Sequence, residues 1–132
     1  MKKIIFYISI LCVLIYTGCI DRKILDSKPG EAIDPVTNLQ YTIAGNNVTL
    51  NWDIPSVIPA DIITPVSIYI QVKRNNVAIL SVTLLNAPVS YVYDSYISSN
   101  QYTIIVKVLG SVDTTDPNVS NIRYSLGSSV SF

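Results

Sequence analysis

The run Val66-Ser67-Ile68-Tyr69-Ile70-Gln71-Val72-Lys73 alternates without a break, with Val66, Ile68, Ile70 and Val72 on one side and polar or aromatic residues on the other. Successive side chains of a strand point to opposite faces, so this stretch fits a strand with one buried face and one wet face. A helix would scatter the same four apolar residues around its circumference. The pattern recurs at Val48, Leu50 and Trp52, and again at Tyr102, Ile104, Val106 and Val108, while no helical period appears after residue 25. Short alternating runs, evenly spaced and divided by turn residues, predict an all-β domain of seven strands folded as a β-sandwich.

The punctuation fixes the order. Leu39 to Ile43 and Val48 to Trp52 alternate on either side of Gly45-Asn46-Asn47, which predicts a hairpin. Pro55, Pro59 and Pro65 follow. Proline has no N–H for a ladder, so this stretch is expected to be a connection and not part of a central strand. Arg74-Asn75-Asn76 reads as a turn, with strands at Val77–Leu85, Val89–Tyr93 and Tyr102–Leu109 beyond it. A final strand is expected over Ile122–Leu126 and Ser128–Phe132, interrupted at Gly127. Roughly twenty inward residues at about 1.5–3 kcal/mol each can offset most of the cost of ordering such a domain.

These runs, taken in order, resemble a fibronectin type III module over residues 35–132. The matching features are the opening Pro35-Val36-Thr37-Asn38-Leu39 and the second strand Val48-Thr49-Leu50-Asn51-Trp52, followed by a bend at Asp53-Ile54-Pro55. The strand Val66–Lys73 matches the third. Tyr102-Thr103-Ile104-Ile105-Val106-Lys107-Val108 is similar to the penultimate strand that opens with a corner tyrosine, and Tyr96 stands where the family usually has Leu. The resemblance implies an immunoglobulin-like sandwich and a binding role.

The first nineteen residues carry a different signal. Met1-Lys2-Lys3 is basic, Ile4 to Tyr16 is apolar, and Thr17-Gly18-Cys19 is small. That is the layout of a secretory signal peptide. Thirteen residues span only roughly 20 Å as a helix, short of a bilayer core of about 30 Å. Tyr16-Thr17-Gly18-Cys19 resembles the bacterial lipobox, which implies removal of residues 1–18 and lipidation of Cys19. The polar segment after it, with a breaker at Pro29-Gly30, is expected to be a lipidated flexible tether over residues 19–34. The arrangement resembles lipoproteins of the Bacteroidota and implies a cell-envelope location, anchored to the outer membrane.

Composition narrows the chemistry. There is no histidine, so Ser-His-Asp and Cys-His sites are excluded. Cys12 would leave with the signal peptide and Cys19 would be acylated, so no thiol remains for a disulfide or a thiolate metal site. From Cys19 onward seven cations face nine carboxylates with no basic stripe, so no nucleic-acid partner is expected. The aspartates of the domain fall at loops and strand ends, where they suit turns. Neither enzymatic activity nor a cofactor is expected. Asp113-Thr114-Thr115-Asp116-Pro117-Asn118 is oxygen-rich but lacks the spacing of a Ca²⁺ loop. Asp113-Thr114-Thr115 also resembles the Bacteroidota O-glycosylation sequon, which marks Thr114. Tyrosine offers rigid area and a hydroxyl at binding surfaces. Tyr69, Tyr91, Tyr93 and Tyr96 are therefore the candidate binding residues, with Tyr69 the best placed because it projects from the polar side of its strand. The expected function is a membrane-anchored, non-catalytic β-sandwich that binds protein or glycan. The alternative is a structural subunit of an outer-membrane glycan-uptake or surface-fibre assembly.

Overall fold

Two tight turns set the strand register. Ala44 pairs with Asn47 across Gly45-Asn46, and Gly45 has a φ of +60°. A two-residue loop with positive φ at its first position matches the right-handed twist of the strands it joins. Arg74 pairs with Val77 across Asn75-Asn76, whose φ values are +51° and +66°. Asparagine tolerates that left-handed region better than most residues. The computed structural model describes residues 30–117 and 119–132. They form β1 (Thr37–Ala44), β2 (Asn47–Asp53), β3 (Ile62–Arg74), β4 (Val77–Leu84), β5 (Ser90–Tyr93), β6 (Tyr102–Val112), β7 (Ile122–Tyr124) and β8 (Ser128–Ser131). No helix occurs among the described residues.

All pairings are antiparallel. One sheet has three strands in the order β1-β2-β5, and the other has five, in the order β4-β3-β6-β7 with β8 also pairing with β6. The alternating residues of the sequence meet between the sheets. Val48, Leu50 and Trp52 of β2 pack with Val66, Ile68, Ile70 and Val72 of β3 and with Tyr102, Ile104, Val106 and Val108 of β6. Trp52 is a core residue, and its indole N–H donates to the Pro88 carbonyl at 2.9 Å.

The structure departs from the sequence reading at three places. First, Pro65 lies inside β3, the strand between β4 and β6. It is tolerated because the β3–β6 register breaks between Ile63 and Ser67, so no ladder donor is required of it. Second, the described residues form eight strands and not seven, because the last run is split into β7 and β8 along the same edge of β6. Ser125 sits at the break, buried. Its Oγ accepts the Val108 N–H at 2.9 Å and donates to the Leu126 carbonyl at 2.8 Å, so a side chain completes the ladder where the strand bends. A Cβ on Gly127 would come within 2.6 Å of Ile105 Cγ2, so the chain hugs the sheet there as only glycine allows.

Third, the packed domain begins before residue 35. Ile33, expected in the tether, is 2% exposed and belongs to the core. The segment is pinned by Arg123. Its guanidinium donates twice to the Asp61 carboxylate, at 2.6 and 3.1 Å, and once to the Glu31 carbonyl, at 2.9 Å. Gly30 lies against that guanidinium with φ +120°, leaving no space for a side chain.

Candidate functional site

The outward side of the five-stranded sheet carries rings and lysines and no strand carboxylate. None of its five strands contains an aspartate or glutamate. The described carboxylates, Glu31, Asp34, Asp53, Asp61, Asp94, Asp113 and Asp116, lie in the other sheet or in connections. Alternation turns Tyr69 and Lys73 of β3 and Lys107 of β6 outward, because Ile70, Val72, Val106 and Val108 are turned in. Lys73 and Lys107 have no ion-pair partner among the described residues.

Tyr69 stands at the centre of this face. It lies opposite Thr83 on one side and Lys107 on the other, and its hydroxyl donates to Ser81 Oγ at 3.1 Å. Tyr124 of β7 meets it edge to face, with ring centroids 5.6 Å apart and planes at 79°. Such a pair contributes about 0.5–1.5 kcal/mol beyond burial and holds both rings in place. Leu109 lies opposite Tyr124, extending the patch. Two residues beyond Tyr124, Leu126 is 81% exposed. Rigid aromatics, an exposed leucine and adjacent lysines suit contact with a partner that offers apolar area and acidic or hydroxyl groups.

The other three candidate tyrosines are not brought to this face. Tyr91 and Tyr93 turn inward, opposite Leu50 and Val48. Burial in apolar surroundings raises both phenol pKa values above the ordinary 10.0. Asp94 raises Tyr91 further, and for Tyr93 the neighbouring Tyr102 hydroxyl adds to the effect. Tyr96 packs at one end of the core, 5.3 Å from Tyr102 and 5.8 Å from Phe132. Tyr102 is itself buried, and its hydroxyl accepts the Ile97 N–H at 3.3 Å and donates to the Ser95 carbonyl at 3.5 Å. Aromatic area at these positions fills the sandwich.

Sequence reasoning missed Tyr124. The alternation of Ile122-Arg123-Tyr124 was its one local signal, but nothing local showed that β7 would lie beside β6 within ring distance of Tyr69. Thr114 is half-buried in the loop after β6, where its Oγ1 accepts the Asp116 N–H at 3.2 Å as a turn would. No group of three metal-binding side chains occurs among the described residues. Cys19 lies outside the described residues. Shallow clefts among the described residues include two of about 380 Å³ each. One, at the Tyr102 end, is lined by Asn76, Gln101, Thr103, Ser131 and Phe132 and holds no carboxylate. The other, beside Pro35 and Pro55, holds Asp34 alone.

The family described as a domain of unknown function, DUF4945, matches residues 19–132. The chain belongs to the DUF4945 family. No curated protein matches the sequence. Among solved structures, this DUF4945 chain is similar to one described as "Myokine structure", with a TM-score of 0.52 and 14% identity over 77% of this chain and 96% of that chain. At that identity the likeness is one of fold, and it agrees with two antiparallel sheets stacked on a common core.

Proposed function

We propose that this DUF4945 protein is a membrane-anchored bacterial lipoprotein that presents a non-catalytic, fibronectin type III-like sandwich and binds a protein or glycan at the cell envelope. The binding surface is the outward side of the five-stranded sheet. The observation that carries this reading is the Tyr69–Tyr124 pair, locked at 5.6 Å on a sheet without carboxylates and flanked by Lys107. Tyrosines spent on packing would be expected inside, as Tyr93 and Tyr102 are.

The finer fold assignment is supported by Trp52 near the end of the second strand and by the Tyr102 hydroxyl reaching back to the Ser95 carbonyl, the contact expected of a tyrosine corner. Anchoring is supported by the lipobox-like Tyr16-Thr17-Gly18-Cys19 and by the family match, which starts at Cys19 itself. Acyl chains at about 0.8 kcal/mol per buried CH₂ would hold the domain at the membrane without a spanning helix.

The test places a photo-crosslinking residue at Leu126 in the full chain, in its own cells, with and without Tyr69→Ser. A protein or glycan adduct that disappears in the Tyr69→Ser background is the expected result. No adduct, or one indifferent to Tyr69, overturns the binding face. Cys19→Ala, in the same cells, is expected to abolish fatty-acid incorporation; continued labelling of the variant removes the anchor from the reading.

A further inference from the structure

We infer that two copies of this chain pair edge to edge through β4, antiparallel and centred on Val82, continuing the five-stranded sheet across a two-fold axis. β4 is an edge strand whose outer side pairs with no strand among the described residues. Natural proteins blunt such edges with charges, prolines or very short strands. β4 has eight residues, no proline and no charge.

Most of the other edge strands are very short. β5, β7 and β8 have four, three and four residues. β1 has eight residues, largely exposed, and is flanked by the β8 end of the chain, where the Tyr41 and Phe132 rings are tilted against each other with centroids 4.6 Å apart and Ser128 Oγ donates to the carbonyl of Val36, just before β1.

A second copy is the occupant because the strand is complementary to itself. Ile79-Leu80-Ser81-Val82-Thr83-Leu84-Leu85 has the same chemistry read in either direction. In an antiparallel pair about Val82, Leu80 of one copy faces Leu84 of the other, Ser81 faces Thr83, and Val82 faces Val82. Facing residues share a side of the sheet. The leucines and Val82 would therefore extend the core layer, against which Leu80, Val82 and Leu84 already pack half-buried. The Ser–Thr pairs would meet on the outer side. The edge is regular where this pairing needs it: the β3–β4 register runs unbroken from Val72 with Leu80 to Ile68 with Leu84, and the irregularity lies before Leu80. Val77 is 64% exposed, Ile79 38% and Leu85 70%, so apolar area stands ready along the strand and just past it.

The test uses the full chain purified from membranes in detergent and sized by sedimentation equilibrium. Wild type is expected at twice the monomer mass. Ser81→Lys/Thr83→Lys puts lysine against lysine at every outward pair, and Ser81→Glu/Thr83→Glu puts glutamate against glutamate. Both positions are exposed, and circular dichroism checks that each variant keeps its strands. Each alone is expected to associate about tenfold or more weakly, and an equimolar mixture is expected to recover the dimer because both facing 81–83 pairs are then Lys against Glu. A monomeric wild type overturns the proposal, whether its edge is bare, covered by another protein, or covered by its own residues 1–29. Variants that dimerise as wild type does, or a mixture of folded variants that stays monomeric, overturn it as well.

Discussion

Ser125 shows how one side chain can stand in for a strand. Its hydroxyl is buried and serves both the Val108 N–H and the Leu126 carbonyl. Ser125→Ala leaves a buried donor without its partner, which costs about 1–3 kcal/mol. Urea unfolding is expected to report that loss, while Ser129→Ala, exposed on β8, is expected to shift stability by no more than about 0.5 kcal/mol. Arg123 is the second such residue. Its hydrogen bond and its positive charge hold the Asp61 carboxyl below the ordinary 3.8, against a smaller opposing effect of desolvation, and Asp61 in turn keeps Arg123 protonated. Because the folded pKa of Asp61 is the lower one, its contribution is present above pH 3.8 and is lost as pH falls through the folded value. Arg123→Gln is therefore expected to destabilise the domain at pH 7, and the gap between wild type and variant should narrow below pH 3.8. A gap that stays constant to pH 2 would show that the carboxylate does not carry it.

Elements differ in what they contribute. β3 and β6 run side by side through the sheet with Val66–Val72 of one and Tyr102–Val108 of the other burying one face, whereas β4 is covered on one edge only. Ile70→Ala removes a side chain with no exposure and is expected to cost about 2–5 kcal/mol. Val77→Ala, at the open edge, should cost about 0.5 kcal/mol or less in the monomer. Denaturant midpoints of the two variants check this, and similar losses would mean that β4 is covered in solution. The edge pairing about Val82 adds a second expectation, since a dimer would raise the cost of truncating Leu80, Val82 or Leu84, and not that of Val77, in a concentration-dependent way.

For the whole molecule, stability rests on a core held without disulfides, because the described residues contain no cysteine. Two inward tyrosines limit that core on the alkaline side. Tyr91 and Tyr93 have phenol pKa values raised above 10.0 on folding, so their neutral forms belong to the folded state. Their contribution is complete below pH 10 and is lost as pH rises through the folded values. Ultraviolet titration is expected to show Tyr91 and Tyr93 ionising above pH 10, together with loss of the β-sheet circular dichroism signal. All phenols ionising while the sheets persist would contradict the inward placement of Tyr91 and Tyr93. The outward face belongs to the same scale, since Tyr69 and Tyr124 meet only because β3, β6 and β7 are assembled into one sheet.

Local pattern was enough to place most of the strands. Alternation at Val66–Lys73 and Tyr102–Val108, and turn residues at Gly45 and Asn75-Asn76, act through neighbours a few residues away, so they are legible in the chain itself. The lipobox-like motif at Cys19 is legible for the same reason. Pro65 inside β3, the split at Ser125 and the docking of Ile33 were not, because each depends on a partner far along the sequence: the broken β6 register, the Val108 backbone and the Arg123 clamp on Glu31 and Asp61. The division among the tyrosines was likewise decided only by the fold. Tyr69 and Tyr93 both sit in alternating strands, but the sheet each joins determines which side becomes the core, and burial of apolar area makes that choice across the whole molecule at once.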